Sequence, residues 1–230
     1  MTEDKTDIRD RLLDAALPIV AFDGWSDATL KAAAAETGID WPVARAVFPR
    51  GGIDMALAQH VRGDAAMIAK LKEGTPPEMR YRDKVAHAVR LRIEAAGDRE
   101  VVRRAVALFA LPHLAPEGAR ALWNTADAIW TALGDTSEDY NWYTKRATLS
   151  GVYSSTVLFW LGDDSAGHQA TWDFLDRRIE DVMQFEKLKA GVEKNPLLKP
   201  VFAVPSWLLG RVRRPQRGPG GYPGWTGPRP

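Results

Sequence analysis

Apolar residues recur at helical spacing along nearly the whole of the first 190 residues, and no stretch alternates apolar and polar with the period of a strand. A chain with this pattern builds its core by packing helix on helix, so the predicted fold class is all-α. Breaks at Gly and Pro divide it into helices over 6–21, 28–37, 41–48, 53–73, 81–96, 99–110, 116–133, 140–161 and 167–188. At 230 residues there is room for a small helical unit fused to a mid-sized one.

The first three segments have the lengths and links of a helix-turn-helix unit. Gly38 lies between the second and third, Asp40 stands where it can cap the third, and Pro42 falls in its first turn, where a missing N–H is harmless. Ala28 to Ile39 and Val47-Phe48-Pro49 resemble the amino-terminal domain of the TetR repressor family. Recognition of DNA needs several cationic and polar side chains toward phosphates and base edges. Residues 41–48 offer only Arg45, with Lys31 and Arg50 nearby and Asp40 and Asp54 opposing them. Nucleic acid is therefore not the expected partner, and a retained fold that no longer binds DNA is.

Other classes fall away on chemistry. The absence of cysteine removes disulfides, thiolate catalysis and cysteine metal sites. His60, His87, His113 and His168 are scattered, none in a two-histidine helical metal spacing, and there is no phosphate-cradling loop or Gly-x-Ser-x-Gly elbow. The reading is not an enzyme, with no cofactor or metal. No run of 18 apolar residues is present to span a bilayer, and Met1 to Asp7 has the character of neither a signal nor a transit peptide. A bacterial cytoplasmic chain is expected.

Charge is unevenly placed. Residues 187–230 hold nine Lys or Arg and one acid, Glu193, so that segment carries +8 and the rest −7 within a total of +1. A basic segment on an acidic body predicts an anionic partner. In 196–210, Leu197, Leu198, Phe202, Trp207, Leu208 and Leu209 are followed by Arg211, Arg213, Arg214 and Arg217. A helix over 197–209 is about 20 Å long, too short for the ~30 Å hydrocarbon core but suited to the headgroup region, with kinks at Pro200 and Pro205. Packing of this segment on the body is an equal alternative. From Pro215 onward ten of sixteen residues are Gly or Pro, a composition expected to be disordered.

Two sets of residues stand out in the body. Leu108, Phe109, Leu111, Trp123, Trp130, Tyr153, Phe159 and Trp160 lie on three successive helices and line either an apolar cavity or ordinary core. Asp139, Trp142, Tyr143 and Arg146 stand at i, i+3, i+4 and i+7, one compact face at the mouth of a helix, and read as a contact surface. Their alternative role is a helix cap paired to Arg146 with Trp142 turned to the core.

The stretch Trp123 to Trp130, the string Asp139-Tyr140-Asn141-Trp142-Tyr143-Thr144-Lys145-Arg146 and Thr171 to Ile179 together resemble the TetR-fold accessory proteins of ubiquinone biosynthesis. That resemblance implies a non-enzymatic lipid-binding homodimer that presents an isoprenoid quinone intermediate to the di-iron demethoxyubiquinone hydroxylase. It implies an isoprenoid quinone intermediate or a phospholipid in the cavity, and hydroxylase binding at Asp139, Trp142, Tyr143 and Arg146. The expected organisation is a helix-turn-helix-like domain at 1–52, a helical lipid-binding and dimerisation bundle at 53–190, a membrane-contact segment at 191–212 and a tail at 213–230. Such a chain works as a peripheral protein on the inner membrane of a bacterium, against an anionic surface. A ligand-responsive TetR-type repressor is the alternative, and a structural lipid-binding protein without a pathway partner is a third reading.

Overall fold

The computed structural model describes residues 5–74 and 78–194. Among the described residues every regular element is helical: α1 Lys5–Asp23, α2 Asp27–Thr37, α3 Trp41–Val47, α4 Gly52–Glu73, α5 Tyr81–Glu94, α6 Arg99–Phe109, α7 Ala115–Ala132, α8 Tyr140–Leu161, a 3-10 turn Ala166–His168, and α9 Gln169–Lys194. The predicted helices recur with shifts of a few residues at their ends.

The ends follow from local chemistry. Ser26 caps α2 by accepting from the Thr29 backbone N–H at 3.1 Å, and Asp98 caps α6 by accepting from Glu100 and Val101. Gly38, at φ 67°, closes α2 with the paired bonds from Ile39 N to Ala34 O and from Gly38 N to Ala35 O. A left-handed residue is needed there, which is why glycine serves. Asp40 stands before α3 but makes no side-chain capping bond, contrary to the sequence reading; Pro42 occupies the first turn as expected.

Two cores form. Leu12, Leu13, Val20, Leu30, Ala33, Phe48 and Met55 are the centre of the first, which unites α1 to α3 with the start of α4 and with Val101 of α6. Met67, Val89, Ile93, Ile129, Leu149, Trp160, Leu175 and Ile179 are central to the second, among α4, α5, α7, α8 and α9. Helix α4 thus belongs to both. Its first residue explains the close approach, because a Cβ on Gly52 would lie 2.2 Å from the Trp25 carbonyl carbon. Trp25 in turn donates its indole N–H to Val101 O at 3.3 Å, tying the first unit to α6. Arg103 of α6 donates to Leu161 O at 2.7 Å, satisfying an otherwise orphan carbonyl at the end of α8. These ties hold α6 to the first unit and to the end of α8, leaving a space beneath it.

Candidate functional site

That space is a cavity of about 390 Å3 between α4, α6, α7 and α8. Its wall comes from Ala56 and His60 of α4, Val102, Ala105, Val106 and Phe109 of α6, Ala115, Gly118, Ala119, Ala121 and Leu122 of α7, and Tyr153, Ser154, Val157 and Leu158 of α8, with Ala110 just beyond α6. The cavity exists because small residues face one another where a core would place Leu or Phe. Gly118 sits so near α6 that a Cβ would come within 2.8 Å of the Phe109 Cβ, so glycine lets α7 close one end. The size and apolar lining fall within the range of small-molecule pockets.

Behind His60, at one end of the wall, stands a polar network. Thr125 Oγ1 donates to Asp64 Oδ1 at 2.8 Å, and Arg92 Nε donates to the same oxygen at 2.5 Å and Nη2 to His60 O at 3.0 Å. Gly63 makes room for this guanidinium: a Cβ there would meet Arg92 Nη1 at 2.7 Å. His60 Nε2 lies 2.8 Å from Thr125 Oγ1. Since the single hydroxyl proton of Thr125 goes to the carboxylate, Nε2 must donate and Nδ1 is left as an acceptor. A smaller cavity of about 60 Å3 adjoins here, sharing Ala56, His60, Val102, Ala105 and Tyr153 with the larger one and adding Trp25, Gln59, Arg92, Ala96 and Val101. Gln59 Oε1 is buried and has no hydrogen-bond partner. An unpaired buried acceptor costs about 1–3 kcal/mol, so it is an unusual thing to find in a finished core.

Burial, reinforced by Arg92 and only partly opposed by Asp64, lowers the His60 pKa from 6.5 to about 4. The unfolded chain therefore takes up a proton below pH 6.5 that the folded chain refuses until about pH 4. The stability contributed by neutral His60 is complete above pH 6.5 and is lost as pH falls toward 4, by roughly 3 kcal/mol in all. Urea unfolding at pH 7, 5.5 and 4.5 is expected to show a steeper fall for the wild type than for His60→Gln. Parallel profiles would contradict this burial.

The predicted contact surface is built otherwise than expected. Trp142 and Arg146 are buried, at 6% and 2% exposure, because Arg146 points between α7 and α8. There its Nε donates to Asp127 Oδ1 at 2.6 Å and its Nη1 to Asp135 Oδ2 at 3.1 Å, with the guanidinium 4.0 Å from the centre of the Trp142 ring. Asp139 is not its partner; it caps α8 by accepting from Asn141 N at 3.0 Å. Burial alone would raise the Asp135 carboxyl, but hydrogen bonds from Lys145, Ser137 and Arg146 outweigh it and bring it down to about 2. Of the four residues, Asp139 remains exposed and Tyr143 half-buried, the latter edge-on to Trp142 at 4.8 Å.

Residues 115–186, which run from the start of α7 into α9 and carry this ion cluster and half of the cavity wall, match the COQ9 family model. The chain is 33% identical over 193 residues to the ubiquinone biosynthesis protein COQ9, mitochondrial, of Drosophila melanogaster, covering 81% of this chain and 58% of that protein. The chain belongs to the COQ9 family. The proteins of the same name from Rattus norvegicus and Homo sapiens are 31% and 29% identical over 192 residues, each match covering 79% of this chain and 60% and 59% of theirs. This COQ9-family chain thus spans less than two thirds of the length of these relatives. In fold it is similar to a TetR transcriptional regulator from Nitrosomonas europaea, with TM-score 0.62 and 21% identity over 76% of this chain and 97% of that one. The TetR-like all-α architecture predicted from the sequence is the one found.

Of the residues expected to line a lipid cavity in this COQ9-family chain, Phe109 and Tyr153 line the cavity beneath α6. The others are placed elsewhere. Leu108 packs on the first core, Leu111 is 45% exposed beyond α6, and Trp160 is buried in the second core. Trp123 lies in the aromatic cluster with Trp142 and Tyr143, Trp130 stacks on Tyr81 and donates to Lys145 O, and Phe159 stacks on Phe174. Trp123, Trp130, Phe159 and Trp160 fill space against other rings or core, and the cavity is marked by Ala105, Ala115, Gly118, Ala119 and Ala121. Those small residues, together with Gly63 and the i, i+4 pair His60 and Asp64, were the available sequence signal.

On the helix-turn-helix face of the COQ9-family chain the cations are engaged within the chain. Arg45 Nη1 donates to Asp27 at 2.8 Å, Arg50 bonds Asp54 and Glu117, and Lys31 Nζ lies 5.2 Å from the Trp41 ring centre. Leu197, Leu198, Phe202, Trp207, Leu208 and Leu209, and the tail after them, lie outside the described residues. Among the described residues no helix is long and apolar enough to cross a membrane.

Proposed function

We propose that this chain is a non-enzymatic lipid-binding accessory protein of ubiquinone biosynthesis, and that an isoprenoid quinone intermediate, or a phospholipid, occupies the cavity beneath α6. The observation that carries the reading is that cavity: an apolar chamber with one polar end, in a family whose curated relatives are named as ubiquinone biosynthesis proteins. An apolar wall suits an isoprenoid tail, and the few polar groups at one end suit a ring. The pairing of Arg45 and Arg50 with carboxylates supports this reading over that of a repressor, since paired cations release few counterions from DNA.

The protein acts as a homodimer on the inner face of a bacterial inner membrane, where 197–209 with the following arginines engages anionic headgroups. It presents its ligand to the di-iron demethoxyubiquinone hydroxylase through the surface around Asp139 and Tyr143. Trp142 and Arg146 serve that surface from behind, by fixing α8 against α7. Deleting the gene in its host is expected to lower ubiquinone and raise its demethoxy precursor, with wild-type chain restoring both. An unchanged quinone pool would sink the reading.

A further inference from the structure

At the polar end of the cavity one acceptor stands without a donor. Gln59 Oε1 is buried without a donor, and it lines the small cavity that opens beside His60. His60 lines both cavities, and its Nδ1 is an acceptor by the proton count set by Thr125 and Asp64. These two groups lie on adjacent positions of α4, with Ala56 one turn earlier leaving space at the seam. The bonds Arg92 makes here go elsewhere, from Nε to Asp64 and from Nη2 to His60 O, and Gln59 Oε1 receives none.

Resting on the lipid-binding reading above, we propose that the seam between the two cavities is a headgroup subsite in which Gln59 and His60 accept hydrogen bonds from the ligand. The preferred occupant is therefore a prenylated ring bearing O–H donors, a phenol or a hydroquinone. A ring whose oxygens are all carbonyls or ethers brings no proton to Gln59 Oε1 and leaves it as unpaired as before, whatever it accepts from the hydroxyl of Tyr153, which lines both cavities. A site built to bond a hydroxyl rejects the analogue lacking it more strongly than an apolar wall rejects a change of shape. The inference assigns selectivity to the protonated, reduced form of the ring. The apolar chamber, in contrast, is indifferent to redox state.

The test is direct binding of three probes to the full chain after delipidation: 2-farnesylphenol, its methyl ether, and 2-farnesyl-1,4-benzoquinone. The phenol is expected to bind about tenfold more tightly than either of the others. In Gln59→Leu, which removes the acceptor and fills similar volume, that preference is expected to shrink to within about threefold. Its unfolding temperature should not fall, because an unpartnered amide oxygen has been replaced by an apolar group. Equal binding of phenol and ether by the wild type overturns the subsite while leaving the cavity reading intact; a water molecule satisfying Gln59 Oε1 would give this result. An unaltered phenol preference in Gln59→Leu overturns the assignment of Gln59. Binding of none of the three overturns the cavity reading itself.

Discussion

Arg146→Ala is expected to lower stability by about 3–5 kcal/mol, the largest single-residue effect anticipated in the molecule. The reason lies in what remains after truncation. Asp127 and Asp135 have side chains 7% and 1% exposed, and both point at the guanidinium. Without it, Asp127 loses its bond to Nε and Asp135 is left to Lys145 and Ser137, both carboxylates in a site nearly closed to water, and the Trp142 carbonyl loses its side-chain donor at 3.1 Å. For a chain of this size the loss corresponds to a melting temperature about 10 °C lower. Because the cluster joins α7 to α8, two of the four cavity walls loosen with it. The triple change Asp127→Asn, Asp135→Asn and Arg146→Met removes the three buried charges together, leaving only the part-exposed Lys145 charged, and should recover most of the loss, since the cost comes from buried charge left in excess more than from the missing bonds. Denaturant unfolding of the three proteins checks this; a loss under about 1 kcal/mol for Arg146→Ala would mean that the cluster is solvated and that the residue belongs to a surface after all.

The second large effect concerns the ligand. Val106 lines the larger cavity and is only partly buried, so a bigger side chain there has space to enter without displacing packed core. Val106→Trp is expected to fill much of the chamber and to reduce bound lipid at least tenfold, with the melting temperature unchanged or raised. Filling a void restores the dispersion contacts that its lining lacks. The contrast with Arg146→Ala is informative: one variant loses ligand because the walls move, the other because the space is gone.

The helices were legible because each rule that makes them is local. Period 3.6 in the apolar residues, Ser26 and Asp98 as caps, and the left-handed Gly38 act within a few residues of themselves. The site was not, because its features depend on what stands opposite. Arg146 looks like a surface cation until Asp127 on α7 and Asp135 in the following loop are brought to it, and nothing in the spacing of α8 announces those partners. The cavity was harder still, since it is defined by missing atoms. Trp123, Trp130 and Phe159 drew attention as apolar bulk, yet bulk closes space, and the open region is bordered by alanines that read as ordinary helix formers. His60 carried no signal at all by itself; its meaning comes from Thr125, Asp64 and Arg92 on three different helices.

The most direct test of the cavity as a lipid site is native mass spectrometry, with lipid extraction, of the purified full chain beside Val106→Trp. The account predicts an isoprenoid quinone intermediate or a phospholipid on the wild-type chain, released on unfolding, and little or none on the variant. A wild-type protein that is free of lipid, and that takes none up when offered a prenylated phenol, would contradict it.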